Sequence, residues 1–286
     1  MKSKSRLAEK ANDDDFSGRF REIISDPLNL AIRRVPLAGV VDGGLVVLHN
    51  GLRVPISGPD AYYGGFSSIL EINRGVHEPL EEFVFQELIK RLPESPFMLE
   101  LGAYWGHYSM WLKSARPGAT VHLVEPDLNN LQSGMNNFDL NEIDGEFIHA
   151  FVGKDDFIVD KFLSERPLEK LDILHSDIQG YELQMLEGSR NALARQSIDY
   201  VFVSTHSQQL HSDAVERLKG FNYRIEVSSD FASGTTSFDG FIFASSPSKT
   251  AVFTGFSPMS RIQILDATPA VLAEYVSRVI RETGNE

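Results

Sequence analysis

Short apolar runs alternate with helical patterns through the middle of the chain. Five runs predict strands that are buried in a sheet: residues 97–101, 120–124, 146–152, 171–174 and 200–203. Apolar residues at helical spacing predict helices at residues 79–92, 107–114, 128–138, 181–193 and 211–219. This alternation predicts a parallel, doubly wound α/β sheet.

The end of the chain departs from this alternation. Residues 222–227 and 238–244 predict two further strands, and the segment between them is too short for a crossover helix. We therefore expect an antiparallel hairpin that completes a seven-stranded sheet. One more helix is predicted at residues 269–281.

The first 78 residues predict a small extension. Residues 1–14 are charged and predict a mobile tail, and residues 16–34 predict a short helix that bends at Pro27. Residues 38–56 predict a three-stranded β-meander, because Asp42-Gly43 and Asn50-Gly51 are strong hairpin-turn signals. Residues 58–79 are rich in glycine and aromatic residues. They form either a lid over a substrate pocket or a loop whose rings pack the meander on the main sheet. The predicted units are residues 1–78, 79–246 and 247–286.

Composition narrows the class of partner. The chain has 286 residues and a formal net charge of −13, and this acidity argues against a nucleic-acid substrate. There are no cysteines, so disulfides and thiolate metal sites are excluded. No apolar run is long enough to span a membrane, and the first residues lack the apolar segment of a signal peptide. We expect a cytoplasmic protein that does not bind membranes, and a homo-oligomer is left open.

A glycine turn follows the first strand of the central sheet. Gly102 and Gly106 lie between the strand at 97–101 and the helix at 107–114, a geometry that presents backbone N–H groups to a ligand. Glu125 ends the next strand, about 20 residues on, where a carboxylate can bind ribose hydroxyls. The glycines are spaced as GxxxG rather than GxGxxG, which favours a site for S-adenosylmethionine (SAM) over one for NAD.

Three motifs carry a resemblance to a known family. Glu100-Leu-Gly-Ala-Tyr-Trp-Gly106 resembles the first SAM-binding motif of class I methyltransferases, and Val124-Glu-Pro-Asp127 resembles the second. Asp177-Ile-Gln-Gly-Tyr-Glu-Leu183 resembles the Asp-x-Glu-Gly-x-Glu signature of FkbM-type methyltransferases, with Gln179 in place of the usual Glu. The resemblance runs roughly from residue 78 to residue 244. It implies the Rossmann-like class I methyltransferase fold, a mostly parallel seven-stranded sheet with helices on both faces.

The resemblance and the strand ends together predict the cofactor-binding residues. They are Glu100, Gly102, Ala103, Tyr104, Gly106, Ser109, Glu125, Pro126, Asp127, Val152 and Asp177. For Glu125 the alternative is a solvated strand end, and for Ser109 it is a simple helix cap. The turn at residues 152–155 follows the third strand and is expected at the same edge.

Asp177 and His206 are the predicted catalytic residues, because each ends an apolar strand and the two strands are expected to be neighbours. His206 is the expected general base, oriented or polarised by Asp177. With His175 the two residues also resemble a divalent-metal site, which is left open. We favour a structural role for His175, as a buried histidine satisfied by the backbone. Asp239 opens the last strand, and the hairpin interpretation places it at the opposite edge of the sheet.

The predicted function is SAM-dependent methyl transfer to a small molecule. The resemblance implies O-methylation of a hydroxyl, often on a sugar or a natural-product scaffold. One alternative is an NAD-dependent oxidoreductase on a similar fold, against which the missing GxGxxG weighs. The other is a non-catalytic SAM-binding or scaffold protein, which Gln179 keeps open because an amide can act neither as a base nor as an anionic ligand.

Overall fold

The computed structural model describes residues 16–153, 156–166 and 170–284, so the predicted N-terminal tail lies outside the described residues. Helix α1 (Phe16–Ser25) is followed by a 3₁₀ turn (Pro27–Leu30), and Asp26 caps that turn by accepting from the Leu28 N–H at 2.8 Å. Three short antiparallel strands then form the predicted meander: β1 (Val41–Asp42), β2 (Leu45–Val47) and β3 (Arg53–Pro55).

A second, larger sheet forms the centre of the molecule. Its strands are β4 (Phe97–Leu101), β5 (Thr120–Glu125), β6 (Glu146–His149), β7 (Leu171–Ser176), β8 (Ile198–Thr205), β9 (Arg224–Ser229) and β10 (Gly240–Ser245). They lie in the order β6-β5-β4-β7-β8-β10-β9. The first five are parallel, and β10 is antiparallel to both β8 and β9. The predicted seven-stranded, mostly parallel sheet with a closing antiparallel hairpin is confirmed.

Helices precede, connect and follow these strands. They are α2 (Ser68–Ile72), α3 (Pro79–Ile89), α4 (His107–Ala115), α5 (Leu128–Leu140), α6 (Val159–Ser164), α7 (Glu182–Gly188), α8 (Arg190–Ala194), α9 (Gln208–Gly220), α10 (Arg261–Asp266) and α11 (Pro269–Glu282). Among the described residues no helix is long and apolar enough to cross a membrane.

The central sheet is covered on both faces, as its apolar strands require. Successive residues of β4 point to opposite faces of the sheet: Met98 belongs to the apolar cluster on one face and Leu99 to the cluster on the other. The first cluster also contains residues of α3, α4, α11 and the N-terminal extension, and the second contains residues of α6 to α9. The sheet is thereby held rigidly between two layers, which fixes its carboxyl edge.

Two local predictions need correction, and short helices were missed. The strand predicted at 146–152 ends at His149, and Val152 makes only an isolated bridge to Phe157. The helix predicted at 181–193 is two short helices, α7 and α8, that meet at Ser189. Helices α6 and α10 were not predicted, because six residues are too few to establish a helical period.

The segment at 58–79 is more ordered than a free loop. It contains a 3₁₀ turn (Gly64–Ser67) and α2, and Tyr62, Phe66 and Ile69 are buried in the core. These contacts support the packing alternative for most of the segment. Tyr63 is the exception, with half of its surface exposed and its ring beside that of Tyr104. Closure of this segment over a ligand stays a prediction.

Candidate functional site

A pocket opens at the carboxyl edge of the sheet, where the strand order reverses. β4 pairs with β5 on one side and with β7 on the other, so the crevice lies beyond the ends of these strands. Its volume is about 750 Å³, within the range of small-molecule and cofactor sites. The predicted site residues that line it are Glu100, Gly102, Ala103, Tyr104, Glu125, Pro126, Val152, Asp177 and His206.

The glycine turn brings β4 against β7 at the floor of the pocket. Gly102 has φ +73°, and a Cβ built there would lie 1.7 Å from the Asp177 carbonyl oxygen. The N–H of Gly102 donates to the Val124 carbonyl at 2.9 Å, and the N–H of Asp177 donates to Leu101 at 3.0 Å. Only glycine permits this approach, and it sets Asp177 directly beside the turn.

Glu125 is buried at the end of β5 and held by the glycine turn. Its Oε2 accepts from the Tyr104 N–H at 3.0 Å, and its Oε1 accepts from the Asp127 N–H at 3.0 Å. Glu125 is 5 % exposed, so it is not a solvated strand end. Oε1 also accepts from the Asn130 side-chain amide at 3.3 Å, so the second lone pair of Oε2 is the one that can accept from a ligand hydroxyl in the pocket.

Three of the predicted cofactor residues do not line the pocket, and each has another role in the structure. Asp127 caps α5, because its Oδ1 accepts from the N–H groups of Asn129 and Asn130, and it is outside the lining of the pocket. Gly106 faces Phe138, since a Cβ there would lie 2.8 Å from that ring. Ser109 is buried, and its N–H donates to Glu100 at 3.1 Å. A cofactor role for these three stays a prediction. Of the predicted turn at 152–155, Val152 lines the pocket, and residues 154 and 155 lie outside the described residues.

Asp177 and His206 do lie together, as predicted, and Glu182 joins them. His206 Nε2 lies 3.2 Å from Asp177 Oδ1, and His206 Nδ1 lies 2.8 Å from Glu182 Oε1. Glu182, at the start of α7, has no exposed surface, so its carboxylate is directed at the imidazole. Gln179 lies at the pocket wall and donates to Asp177 Oδ1 at 3.2 Å.

Asp239 also belongs to this group, contrary to the expectation that it lies at the opposite edge. Because β10 runs antiparallel to β8, it begins where β8 ends, and Gly240 pairs with Thr205. Asp239 Oδ2 therefore lies 3.8 Å from His206 Nε2. The antiparallel arrangement was predicted correctly, but its consequence for the start of β10 was not.

The carboxylates change the chemistry of His206. Burial opposes its positive charge, but the contacts with Asp177 and Glu182 outweigh burial and raise the pKa of His206 to about 10. In the surroundings that the structure shows, His206 is therefore an imidazolium at neutral pH. An imidazolium cannot accept a proton, which argues against His206 as the free general base.

Helix α3 contributes a second buried set of acids, which the sequence analysis did not single out. Glu81 Oε1 lies 2.8 Å from His175 Nε2, and Glu81 also accepts from Ser204 at 3.2 Å. His175 is buried as expected, but its partner is this carboxylate rather than the backbone. Burial raises the pKa of Glu81 to about 8 and that of Glu78 to about 7, while it lowers the pKa of His175.

Aromatic side chains from the N-terminal extension and the β9–β10 connection form the remaining wall. Arg19 lies 3.9 Å above the Phe238 ring and 5.8 Å from the Tyr63 ring. Phe16 and Tyr62 complete this side of the pocket. Rings of this kind can pack on an acceptor molecule and keep water away from it.

Two missed residues had signals in the sequence. Glu182 is the final acid of the motif at 177–183, and Asp239 follows from the antiparallel hairpin. No signal in the sequence pointed to Glu78, Glu81 or Arg19, because these residues reach the pocket from segments that precede the first strand of the central sheet.

Part of the chain matches a known protein family. Residues 155–225 match the model of the FkbM methyltransferase domain. The match confirms the predicted resemblance, over a shorter stretch than the expected 78–244. The matched residues include Asp177 and His206, which line the pocket, and Glu182, which contacts His206. The FkbM match supports methyl transfer with SAM as cofactor.

Other comparisons give weaker similarities. No curated protein matches the chain significantly in sequence. Among solved structures, precorrin-6y C5,15-methyltransferase from Geobacter metallireducens is 17% identical, covers 59% of this chain and 88% of its own, and has a TM-score of 0.43. TrmK of M. capricolum, in complex with S-adenosyl-homocysteine, is 14% identical, with coverages of 70% and 83% and a TM-score of 0.40. Fibrillarin of Aeropyrum pernix, with bound SAM, is 15% identical, with coverages of 54% and 68% and a TM-score of 0.40.

Proposed function

We propose that this protein transfers the methyl group of SAM to a hydroxyl oxygen of a small molecule. One observation carries the proposal: a single pocket joins the Glu125 end, suited to a nucleoside, to the Asp177–His206 centre, suited to handling a proton. The aromatic wall on the far side supports a ring-containing acceptor, such as a sugar or a natural-product scaffold.

The residues present fit the cofactor. Glu125 offers a carboxylate oxygen to a ribose diol, and its position is fixed by two backbone N–H groups. Beside it, Pro126, Phe151, Val152 and Ile178 line the pocket with the apolar surface that an adenine ring requires. When bound, SAM supplies a methyl group on a positively charged sulfur.

The protein's own contribution is alignment and removal of one proton. A bound SAM would give its methyl carbon to the acceptor oxygen and keep the electron pair of the broken carbon–sulfur bond on sulfur. The hydroxyl proton would pass to the catalytic centre. Because His206 is charged at neutral pH, we assign the proton to the Asp177 carboxylate. His206 holds that carboxylate in place, and Glu182 in turn holds His206.

The direct test of the function measures binding and transfer separately. We expect calorimetry to show micromolar binding of SAM, about −8 kcal/mol, and no comparable binding of NAD. Deuterated-methyl SAM, incubated with a panel of monosaccharides and glycosides, should then label a hydroxyl oxygen of one class of acceptor. Tight binding of NAD alone would favour an oxidoreductase. Binding of SAM without transfer to any oxygen, nitrogen or carbon acceptor would favour a scaffold protein.

Glu125→Ala is expected to weaken SAM binding at least tenfold, about 1.4 kcal/mol, because it removes charge-assisted hydrogen bonds to the ribose. Calorimetry with purified variants gives the measurement. Glu125→Gln keeps an acceptor oxygen, so its affinity for SAM should lie between those of the parent and of Glu125→Ala. Glu94→Ala, at an exposed position, should bind SAM as the parent does. An unchanged affinity in Glu125→Ala would remove this residue from the cofactor site.

A further inference from the structure

Three side chains from separate segments direct one potential ligand atom each at the same point of the pocket. Asp177, His206 and Asp239 place these atoms within 4.8 Å of one another. The Nε2 of His206 lies 3.2 Å from Asp177 Oδ1 and 3.8 Å from Asp239 Oδ2. Ligand atoms about 2.1 Å from a cation lie roughly 3 to 4 Å apart, so these separations suit a shared ion.

The orientation of His206 is the second observation. Glu182 Oε1, with no exposed surface, lies 2.8 Å from His206 Nδ1, which turns the opposite nitrogen, Nε2, towards Asp177 and Asp239. His206 Nε2 is itself buried, and among the described residues its nearest polar contact is the 3.2 Å ion pair with Asp177. A carboxylate that orients a histidine in this way is the usual outer partner of a metal-binding imidazole.

Charge is the third observation. Asp177, Glu182 and Asp239 place three carboxylates around a single imidazole. Among the described residues that line the pocket, Arg19 is the only lysine or arginine, and it lies on the aromatic wall. Three carboxylates around one imidazole favour a divalent cation at this point of the pocket.

We propose that Asp177, His206 and Asp239 bind one divalent cation, which displaces the proton from His206 Nε2. Glu182 orients the imidazole as a positioning residue. Two carboxylate oxygens and one imidazole nitrogen suit Mn²⁺, with Zn²⁺ and Mg²⁺ as competitors. Three protein ligands leave open positions, and in the proposed methyltransferase these hold the acceptor oxygen. This last role rests on the proposed function, whereas cation binding does not. Asp239 thus adds a third ligand to the carboxylate of Asp177 and the imidazole of His206.

The test is a titration of the chelator-treated full chain with Mn²⁺, followed by calorimetry and by electron paramagnetic resonance. We expect one Mn²⁺ per chain, and Asp239→Asn should weaken binding at least tenfold. Glu182→Gln should weaken it by about tenfold, since it loosens the imidazole without removing a ligand. Asp213→Asn, on α9 and outside the lining of the pocket, is the matched control and should bind as the parent does.

Other outcomes would overturn the site. Absence of binding of Mn²⁺, Zn²⁺ and Mg²⁺ by the folded parent protein contradicts it. Unchanged affinity in Asp239→Asn also contradicts it, because the ion would then lie elsewhere, for example at the buried group His49, Glu82 and His107. Cation binding without methyl transfer would leave the site standing and refute the function. Conversely, methyl transfer that continues at the full rate in the presence of a chelator, by protein that binds no cation, would refute the cation site and leave the proposed function standing.

Discussion

Gly102→Ala is expected to destabilise the protein by about 2–5 kcal/mol and to abolish SAM binding. The left-handed conformation at φ +73° costs an alanine about 1–2 kcal/mol. The new Cβ would also lie 1.7 Å from the Asp177 carbonyl oxygen, a backbone atom that cannot rotate away, and such overpacking costs typically 1–3 kcal/mol. Thermal and denaturant unfolding measure the loss, against a total stability of about 5–15 kcal/mol.

Gly43→Ala separates the two contributions to this loss. Gly43 also has a positive φ, +57°, but nothing lies within 4 Å of a Cβ built there. Its substitution should therefore cost only the conformational strain, about 1 kcal/mol, and leave SAM binding unchanged. Equal destabilisation by the two alanines would contradict the close approach of the Gly102 turn to β7.

The order of the strands could be predicted because it depends on local pattern. Apolar runs of four to eight residues, each followed by a helical period, require a parallel sheet with helices on both faces. The glycine turn and Glu125 were found for the same reason, since the ligand site of such a sheet lies at its carboxyl edge. Residues at that edge are close in space whenever the strands are neighbours.

The rest of the site depends on contacts between distant parts of the chain. Glu81 pairs with His175, 94 residues later, because α3 packs across the end of β7. No local period predicts such a contact. His206 shows a related limit, because its place at a strand end was predictable but its protonation was not. That depends on Glu182 and Asp177, which arrive from a different strand–helix connection.

His206→Ala is expected to reduce methyl transfer by about 10² or more while SAM binding stays within threefold of the parent. The imidazole holds Asp177 in position, and in the cation-bound form it is also a ligand, so the loss follows in either case. SAM binding should be spared because His206 lies beyond the ends of β7 and β8, whereas Glu125, the residue proposed to bind the ribose, lies at the end of β5. Single-turnover rates measure transfer, and calorimetry measures binding.

Stability has to be measured with this variant, because removing the imidazole leaves the buried Glu182 carboxylate without its positively charged partner and with only the Gly180 N–H as a donor. An unpaired buried group costs about 1–3 kcal/mol, and more when it is charged. The double variant His206→Ala with Glu182→Gln removes that charge and should recover stability without recovering transfer. Gln209→Ala, exposed on α9, should behave as the parent in both measurements. A folded His206→Ala variant that methylates its acceptor at the parental rate would exclude His206 from the catalytic centre.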